Sequence, residues 1–463
     1  MKPKTSSLLL VAACVTVALS HASAAAANPP PSFQETFSFP LGDYWCENHL
    51  NVADMDGDGR KDIVLMATAL SNTNGPPWTY LSRAILLHAE QDGTFTDSVI
   101  TNFSGRYGYG AYAADLNNDG ATDLILREQL ATHVLLNDGH GAFREVWTGS
   151  PGYYNLAVVD VNRDGFLDFV SGTQTSSGGV IEVFTNNGAG TSFTKTWQSR
   201  YYGSGNDSIE TVLSVNLNND GRPDIAVREI YGGRMVTLFG SAAGNSFIES
   251  SETYLGNRTF ALAAGRVNGD GLSGLAAFVG WGTVRVFMNR GDGSITNYWE
   301  SPNLGQAAFN LALADFDQDG FDDIFVGTFG DGALRIYRNN PGVGFDPWWE
   351  GRVPGIGYTG SVADLNGDGY PDLIVGEKNR LRILFNRTGN PRIANLLMTH
   401  AGATITWAAV PGKMYRVQFK GRLQDPKWTD LEGDVAADST TAIKTEPSTG
   451  TESQRLYRVV KLP

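Results

Sequence analysis

A short acidic segment recurs seven times in this chain, and this recurrence restricts the possible fold more than any other feature. Each copy has nine positions, with Asp or Asn at most of the odd positions and Gly at the sixth. The copies begin at residues 54, 115, 160, 216, 266, 315 and 364, so successive copies start 61, 45, 56, 50, 49 and 49 residues apart. This period is typical of the blades of a β-propeller and is too long for a bare metal-loop repeat.

Short apolar segments surround the copies in a fixed order. One precedes the copy, as at 156–159, a second follows it directly, as at 372–375, and a third comes after a polar turn, as at 334–337. A fourth segment, such as 192–197, follows a turn rich in Gly and Asn. Four antiparallel strands make one blade. The sequence therefore predicts an all-β chain with a seven-bladed β-propeller over residues 28–390.

The seventh repeat lacks a fourth strand of its own. Fourth-strand segments follow the first six copies, at 94–100, 142–147, 192–197, 246–251, 294–299 and 344–349. After the third strand of the last repeat, at 381–385, no such segment follows, whereas one stands at the other end of the chain, at 32–37. We predict that residues 32–37 complete blade seven and so remove an open sheet edge that would invite aggregation.

Each copy provides oxygen atoms that suit calcium, which binds six to eight oxygens at roughly 2.3–2.6 Å. Side chains at positions 1, 3, 5 and 9 and the carbonyl at position 7 converge in a tight loop, and Gly at position 6 permits the sharp turn. We predict about six Ca²⁺ sites. The predicted ligands are Asp54, Asp56, Asp58, Arg60 and Asp62; Asp115, Asn117, Asp119, Ala121 and Asp123; Asp160, Asn162, Asp164, Phe166 and Asp168; Asn216, Asn218, Asp220, Arg222 and Asp224; Asp315, Asp317, Asp319, Phe321 and Asp323; and Asp364, Asn366, Asp368, Tyr370 and Asp372.

The fifth copy is degenerate. Arg266 replaces the first ligand and Gly274 the last, so we expect no metal there. We expect the guanidinium of Arg266 to neutralise Asp270 in part. The fourth copy begins with Asn216, which predicts weaker binding.

The copies have two alternative interpretations. An EF-hand needs Glu at position 12 and a helix on each side. Position 12 is Leu, Ser or Val in the six better copies, and their flanks are rich in β-formers. A plain Asp/Asn/Gly turn is the other alternative, but carboxylates clustered in six copies without a cation would repel one another strongly.

The copies and their flanking strands resemble the FG-GAP/VCBS repeat family, which occurs in integrin α-subunit headpieces and in many secreted bacterial proteins. The resemblance covers about residues 30–390 and implies seven blades with calcium in the first hairpin loop of a blade. It implies little about the ligand, because members include adhesion modules, mushroom lectins and polysaccharide-degrading enzymes.

The two ends of the chain differ from the repeat region. Lys2, Lys4, the apolar stretch 8–19 and the small residues 22–24 predict a signal peptide over 1–27 and a secreted, extracellular or periplasmic protein. Residues 391–463 contain short strand-like segments at 403–407, 414–419, 441–444 and 455–460, which predict a fibronectin III-like β-sandwich. No further long apolar run predicts a transmembrane segment.

The net charge of -14 argues against nucleic acid or an anionic membrane surface as a partner.

Strand order places the acidic loops on one face of the propeller, and the links between blades and the second-to-third strand turns on the other. That other face is rich in aromatic residues and also holds polar residues, namely Arg127, Glu128, Arg228, Glu229, Glu377 and Lys378. The predicted ligand-binding residues are Trp45, Trp78, Tyr80, Tyr109, Tyr153, Tyr154, Tyr201, Tyr202 and Tyr358. Such residues suit sugar rings or peptide surfaces, although packing between blades is the alternative role.

No catalytic residue is assigned, because the six histidines form no motif and calcium explains the paired carboxylates. The sequence predicts a binding or adhesion module for an extracellular carbohydrate or protein. A calcium-dependent polysaccharide lyase stays open, since its base needs no sequence signature. A deep groove with Lys or Arg beside carboxylates would favour the enzyme, and a shallow aromatic face the binding module.

Overall fold

The computed structural model describes residues 30–71, 79–149, 155–205, 207–229, 231–256, 259–354, 359–388, 393–399, 402–409, 412–422, 427–439, 441–447 and 455–462. Over these ranges the chain is all-β, as predicted, and contains no helix. Consequently no helix in the described ranges could cross a membrane. The predicted signal peptide lies outside the described residues.

The strands between residues 33 and 386 form four-stranded antiparallel units, and units 1 and 2 are also joined by one parallel pair, His49 with Gly110. Unit 1 has β2 (Trp45–Ala53), β3 (Asp62–Leu70), β4 (Tyr80–Ala89) and β5 (Phe95–Ser104), and unit 2 has β6 (Gly108–Ala114), β7 (Asp123–Glu128), β8 (Ala131–Asn137) and β9 (Phe143–Gly149). Unit 3 has β10 (Leu156–Val159), β11 (Asp168–Thr175), β12 (Gly178–Asn186) and β13 (Phe193–Gln198), and unit 4 has β14 (Ile209–Val215), β15 (Asp224–Glu229), β16 (Arg234–Gly240) and β17 (Phe247–Tyr254). Unit 5 has β18 (Thr259–Gly265), β19 (Gly274–Val279), β20 (Thr283–Asn289) and β21 (Ile295–Glu300), and unit 6 has β22 (Ala308–Ala314), β23 (Asp323–Thr328), β24 (Ala333–Asn340) and β25 (Gly344–Arg352). Unit 7 has β26 (Gly360–Ala363), β27 (Asp372–Glu377), β28 (Arg380–Asn386) and, from the start of the chain, β1 (Phe33–Pro40).

Strand β1 supplies the fourth strand of unit 7, as the sequence predicts. It pairs antiparallel with β28, from Phe33 opposite Asn386 to Pro40 opposite Arg380. Its side chains also reach the adjacent units: the ring of Phe33 lies 4.7 Å from that of Trp349 in unit 6. On the other side, the ring of Phe37 lies 5.2 Å from that of Phe95 in unit 1. A segment remote in sequence therefore ties three units together.

The first strands of the units lie side by side around a common axis. Strand β2 contacts both β6 and β26, and contacts continue from β10 through β14, β18 and β22 to β26. Between β6 and β10, the hydroxyl of Tyr112 donates to Asn155 Oδ1 at 3.3 Å. This arrangement is that of a β-propeller, and the first strands enclose a central cavity of about 680 Å³.

The apolar core lies between successive units. The second strands β7, β15, β19, β23 and β27 are buried along their whole length, which explains their content of Val, Ile and Leu. The rigid stack of sheets leaves the loops at the two ends of the strands to form the functional surfaces.

Seven shorter strands follow the last unit. They are β29 (Ile393–Thr399), β30 (Gly402–Ala408), β31 (Met414–Lys420), β32 (Thr429–Asp430), β33 (Val435–Ala436), β34 (Thr441–Pro447) and β35 (Leu456–Lys461). One sheet has the order β29-β30-β34, and in the other β31 pairs with β32, β33 and β35. Trp407 and Tyr415 are fully buried between them, with ring centroids 6.0 Å apart. Strands β30, β31, β34 and β35 agree with predicted segments, whereas β29, β32 and β33 have no predicted counterpart.

Candidate functional site

Each acidic copy forms the loop between the first and second strands of its unit, and we number the loops 1 to 7 by unit. The carboxylate at position 1 organises the turn. In loop 1, Asp54 accepts hydrogen bonds from the backbone nitrogens of Asp58 (3.2 Å) and Gly59 (2.8 Å). The same two bonds recur in loops 2, 3, 6 and 7.

The backbone of these loops takes the left-handed conformation at two positions. Glycine occupies position 6, with φ of 85° at Gly59 and 96° at Gly320. Position 4 is also left-handed, although it holds a residue with a side chain in four loops, namely Asn118, Arg163, Asn219 and Gln318. Such residues are strained there unless the surroundings hold them. In loops 2, 3 and 6 the carboxylate at position 1 holds them by fixing the next two amides, and in loop 4 the side-chain oxygen of Asn216 accepts from the nitrogen of Asn219 at 2.9 Å.

Loops 1 and 6 bring three carboxylates together. Oxygens of Asp54, Asp56 and Asp58 lie within 4.8 Å of one another, and so do those of Asp315, Asp317 and Asp319. Oxygen-only clusters of this kind fit calcium. In loops 2, 3 and 4 an Asn stands at position 3, and its amide donates to the Asp at position 5 at 2.8–3.0 Å. An amide oxygen can serve as a calcium ligand in place of a carboxylate oxygen.

Arginine side chains contact three of the loops. Arg60 and Arg222, predicted as ligands through their carbonyls, turn their guanidinium groups onto the position-5 carboxylates Asp58 and Asp220. Arg338 comes from strand β24 and lies 2.7 Å from Asp317. Arg338 carries no predicted role in the sequence, because only strand pairing brings it to loop 6.

The carboxylates at position 9 differ from the others, since all six are fully buried: Asp62, Asp123, Asp168, Asp224, Asp323 and Asp372. Each accepts two backbone hydrogen bonds. Asp123, for example, binds the nitrogen of Leu116 at 2.9 Å and that of Asn137 at 2.8 Å. The residue therefore joins the start of its own loop to the end of the third strand, in addition to any role toward a metal.

Burial raises the pKa of several position-9 carboxyls above the ordinary value. Burial, together with the nearby Asp317 and Asp319, raises the pKa of Asp323 to about 8. Burial raises the pKa of Asp372 to about 7 and those of Asp123 and Asp168 to about 6. Negative charge in these loops is therefore unfavourable without a cation.

Loop 5 departs from the other loops in structure as well as in sequence. The prediction that Arg266 contacts Asp270 is wrong. The guanidinium of Arg266 lies instead 3.2 Å from Asp322 and 3.9 Å from Asp315, both in loop 6. The loops stand next to one another, so the charge at position 1 reaches the following loop rather than its own.

Asparagines at the ends of third strands link successive loops, and the sequence analysis misses them. Asn186 donates to the carbonyl of Leu116 in loop 2 at 2.7 Å and to that of Leu167 in its own loop at 3.0 Å. Asn137 and Asn339 bridge the preceding and their own loops in the same way. The signal is an Asn that recurs at the end of the third strand, shortly before the Gly/Asn turn.

The opposite face holds a cluster of half-buried aromatic rings. Tyr107 lies at its centre, with centroid distances of 5.1 Å to Tyr80, 5.2 Å to Tyr109 and 6.5 Å to Trp45. Tyr80, Tyr107 and Tyr109 line the central cavity. Of the predicted ligand-binding residues, Trp78, Tyr153, Tyr154 and Tyr358 lie outside the described residues.

The adjacent residues Tyr201 and Tyr202 have opposite environments. Tyr201 is 50% exposed, whereas Tyr202 is 1% exposed. The ring of Tyr202 packs into the core beneath the guanidinium of Arg200, 4.3 Å from its centroid. Tyr202 therefore offers no open ring to a ligand, and packing between units is its observed role.

Three exposed aromatic residues on this face escape the sequence analysis. Tyr231, Trp281 and Phe329 occupy second-to-third strand turns and are 60%, 61% and 40% exposed. The ring of Trp281 lies 5.3 Å from that of Phe260, which lines the central cavity. An aromatic residue in a Gly-rich turn is the signal that could have identified them.

The cavity also contains polar side chains. Arg228 Nη2 donates to Glu210 Oε2 at 2.8 Å, and its Nε donates to Thr211 Oγ1 at 3.2 Å. His49 lines the same wall and stacks on Tyr112 at 5.5 Å. A cavity with an arginine beside a carboxylate is the feature that would favour an enzyme, and the exposed rings are the feature that would favour a binding module.

Comparison with known proteins identifies the repeats. The model of the FG-GAP-like repeat matches residues 115–171, 160–227, 266–326 and 315–375, so each match runs from one acidic loop past the next. The matches support an FG-GAP, integrin α-like family for this chain.

Integrin alpha chains are similar to parts of this chain, which spans less than a third of their length. Human integrin alpha-6 is 24% identical over 79% of this chain and 29% of its own length. Rat integrin alpha-7 is 33% identical over 35% of this chain and 16% of its own. The BBS1N chain, crystallised in complex with ARL6DN and soaked with lead, has a similar fold: the TM-score is 0.51 at 13% identity, over 76% of this chain and 96% of that one.

Proposed function

We propose that these FG-GAP-like repeats build a seven-bladed, calcium-stabilised β-propeller that acts outside the cell or in the periplasm as a binding or adhesion module for carbohydrate or protein. The observation that carries the proposal is the face opposite the acidic loops. Exposed rings such as Tyr201, Tyr231 and Trp281 lie on that face, and Trp281 contacts Phe260 in the wall of the central cavity. Pockets with aromatic walls and a few polar groups are typical ligand sites.

The arrangement of units supports seven blades. The four-stranded units along residues 33–386 correspond one to one with the acidic copies, and the contact between β2 and β26 brings the first unit beside the last. In this proposal residues 28–390 form the propeller, residues 391–463 form a fibronectin III-like sandwich, and residues 1–27 direct export.

The donor chemistry of the loops supports calcium. Loops 1 and 6 offer three clustered carboxylates each, and loops 2, 3 and 7 offer two carboxylates and an amide at positions 1, 3 and 5. Loop 4 begins with Asn216 and is expected to bind more weakly, and loop 5 lacks the position-1 and position-9 ligands. A bound cation would also relieve the repulsion that raises the pKa of Asp323.

Metal content and thermal stability test the calcium proposal. The exported chain is expected to hold about six Ca²⁺ per molecule, with dissociation constants on the order of 10⁻⁴–10⁻³ M, as in extracellular modules. Chelation is expected to lower the melting temperature. An unchanged melting temperature together with no bound calcium would contradict the proposal.

A binding screen with matched variants tests the site. We expect the chain to retain a ligand from an array of glycans and extracellular proteins, and Trp281→Ala or Tyr109→Ala to reduce binding at least about tenfold. Ile248→Ala is the control, because Ile248 is 60% exposed on the outer strand β17. If Ile248→Ala weakens binding as strongly as Trp281→Ala does, the ligand does not bind specifically at this face.

A calcium-dependent polysaccharide lyase is the second candidate, and the cavity with Arg228 beside Glu210 is the observation that favours it. Lyases cleave uronate polymers by β-elimination: a base removes the proton at C5, the bond from C4 to the glycosidic oxygen breaks, and the departing oxygen takes a proton. Incubation with polyuronates, followed by ultraviolet absorbance of the unsaturated product, tests this candidate. Absence of product with a folded, calcium-loaded chain would exclude these polymers as substrates.

A further inference from the structure

A buried arginine beside the central cavity forms no ion pair among the described residues, although the buried carboxylate of Glu182 is near enough to interact with it electrostatically. Arg127 is 0% exposed, and its Nη1 donates to the carbonyl of Asn155 at 3.3 Å. Its Nε and Nη2 have no hydrogen-bond acceptor, and no described carboxylate forms an ion pair with it. Burial of an unpaired charge is costly, so this guanidinium favours an anion nearby.

The residues that line the cavity lie close to this positive charge. Asn155, which holds Arg127, lines the cavity together with His49 and Arg228. Burial, Arg228 and Arg127 lower the pKa of His49 to about 4, so the imidazole is neutral at physiological pH. Glu210 is the one carboxylate in the described lining, and it is paired with Arg228 at 2.8 Å. The wall therefore has an excess of positive charge in a chain whose net charge is -14.

Aromatic rings flank this cationic wall on two sides. Tyr80, Tyr107 and Tyr109 form one group, and Phe260 with Trp281 forms the other. Rings of this kind pack against the apolar faces of sugar rings. Gln129 and Ser361 add an amide and a hydroxyl to the lining, which suit the hydroxyl groups of a sugar.

From this juxtaposition we infer that the central cavity binds the carboxylate of an acidic sugar unit, such as a uronate in an oligosaccharide. Arg228 lines the pocket for the ligand, and Arg127 acts from behind the wall through Asn155 and the electrostatic field. The inference rests on the proposed binding function and names its ligand class. The rings and the polar lining favour a sugar over an acidic peptide, since both would satisfy the charge but only the sugar offers flat apolar faces with many hydroxyls.

The ligand itself provides a test that does not depend on folding of a variant. Binding of a uronate oligosaccharide to the calcium-loaded chain is compared by calorimetry with binding of the same oligosaccharide after its carboxyl groups are reduced to alcohols. We expect the uronate to bind at least about tenfold more tightly, which is the discrimination expected of one charge-assisted interaction. Equal affinity for the two forms would overturn the inference.

Matched variants test whether Arg127 causes the preference for the uronate. Arg127→Gln is expected to remove most of the preference for the uronate, provided that its melting temperature stays near that of the parent chain. Arg290→Gln is the control, because Arg290 is exposed in the β20–β21 turn at the opposite end of the strands. If Arg127→Gln unfolds the chain, Gln129→Ala replaces it and is expected to weaken binding of both sugar forms. A preference that survives in folded Arg127→Gln, or is lost in Arg290→Gln, would also overturn the inference.

The outcomes separate this inference from the proposed function. Retention of neutral glycans or of an acidic peptide, with loss in Trp281→Ala, would keep the binding module and reject the acidic sugar. Absence of binding to every glycan and protein, with the chain folded and calcium-loaded, would reject both.

Discussion

At the scale of single residues, the acidic loops contain carboxylates with two different roles. Those at positions 1, 3 and 5 are partly exposed, apart from the buried Asp317, and they are arranged around a common point, as in Asp54, Asp56 and Asp58. Those at position 9, such as Asp123, are fully buried and accept two backbone hydrogen bonds each. The first group is suited to a cation, and the second also builds the fold.

This division predicts different effects of Asp119→Ala and Asp123→Ala. Loss of Asp123 leaves two buried backbone donors unsatisfied, at about 1–3 kcal/mol each, so it should lower stability even in the calcium-free chain. Loss of the partly exposed Asp119 should lower stability mainly when calcium is present. Melting curves of both variants with calcium and with a chelator measure the difference. An equal loss for both variants in the calcium-free chain would argue against a structural role for position 9.

A second residue-scale prediction concerns the asparagines that link loops. Asn186 satisfies one buried and one half-buried carbonyl, whereas Asn386 Nδ2 is buried without an acceptor in the described part of the chain. Asn186→Ala should therefore destabilise the chain by about 2–3 kcal/mol more than Asn386→Ala. The midpoints of urea unfolding of the two variants provide the comparison. A larger loss of stability in Asn386→Ala would contradict the inference that Asn186 stabilises the chain by linking successive loops.

At the scale of elements, strand β1 closes a gap that the last repeat leaves open. It covers the outer edge of β28 and packs its phenylalanines against units 1 and 6. An uncovered β28 would present unpaired backbone groups to other chains.

Removal of β1 should therefore cause association and loss of stability. We expect a chain that begins at residue 41 to melt at a lower temperature and to form oligomers or aggregates, whereas a chain that begins at residue 30 should behave as the parent. Light scattering and size-exclusion chromatography measure the association. A monomeric, equally stable chain without β1 would show that the pairing contributes little.

At the scale of the whole molecule, the loops place many carboxylates on one face, and their titration couples stability to pH. Asp323 and Asp372 have pKa values raised by burial to about 8 and about 7. In the unfolded chain these carboxyls titrate near pH 4. The folded calcium-free chain therefore holds protons that the unfolded chain has released.

Because the folded chain binds more protons than the unfolded chain, the stability of the calcium-free chain should fall as the pH rises from about 4 to about 8. In the calcium-loaded chain the cations compensate the ionised carboxylates, so this decline should be weak or absent. Melting temperatures across this range, with calcium and after its removal by chelation and dialysis, test the difference. Asp323→Asn should reduce the slope of the calcium-free chain, and a slope unchanged by this variant would assign the pH dependence to other groups.

The features that the sequence by itself determined are those made by residues close in the chain. The loops form because Asp54 and its equivalents bind amides four and five residues later, and the Gly at position 6 permits the turn. The alternation of apolar segments determines the four-strand unit, and the missing fourth strand after residue 385 predicts the role of β1.

Only the tertiary structure decided contacts between neighbouring units, because these depend on which side chains the packing of sheets brings together. Arg266 reaches Asp322 of the next loop rather than Asp270, and Arg338 reaches Asp317 from another strand. Packing buries Tyr202 and leaves its neighbour Tyr201 exposed. It also encloses Arg127 beside the cavity without an ion pair to any described carboxylate. Such arrangements have no signal in the local sequence, since burial and ion pairing are set by residues from separate repeats.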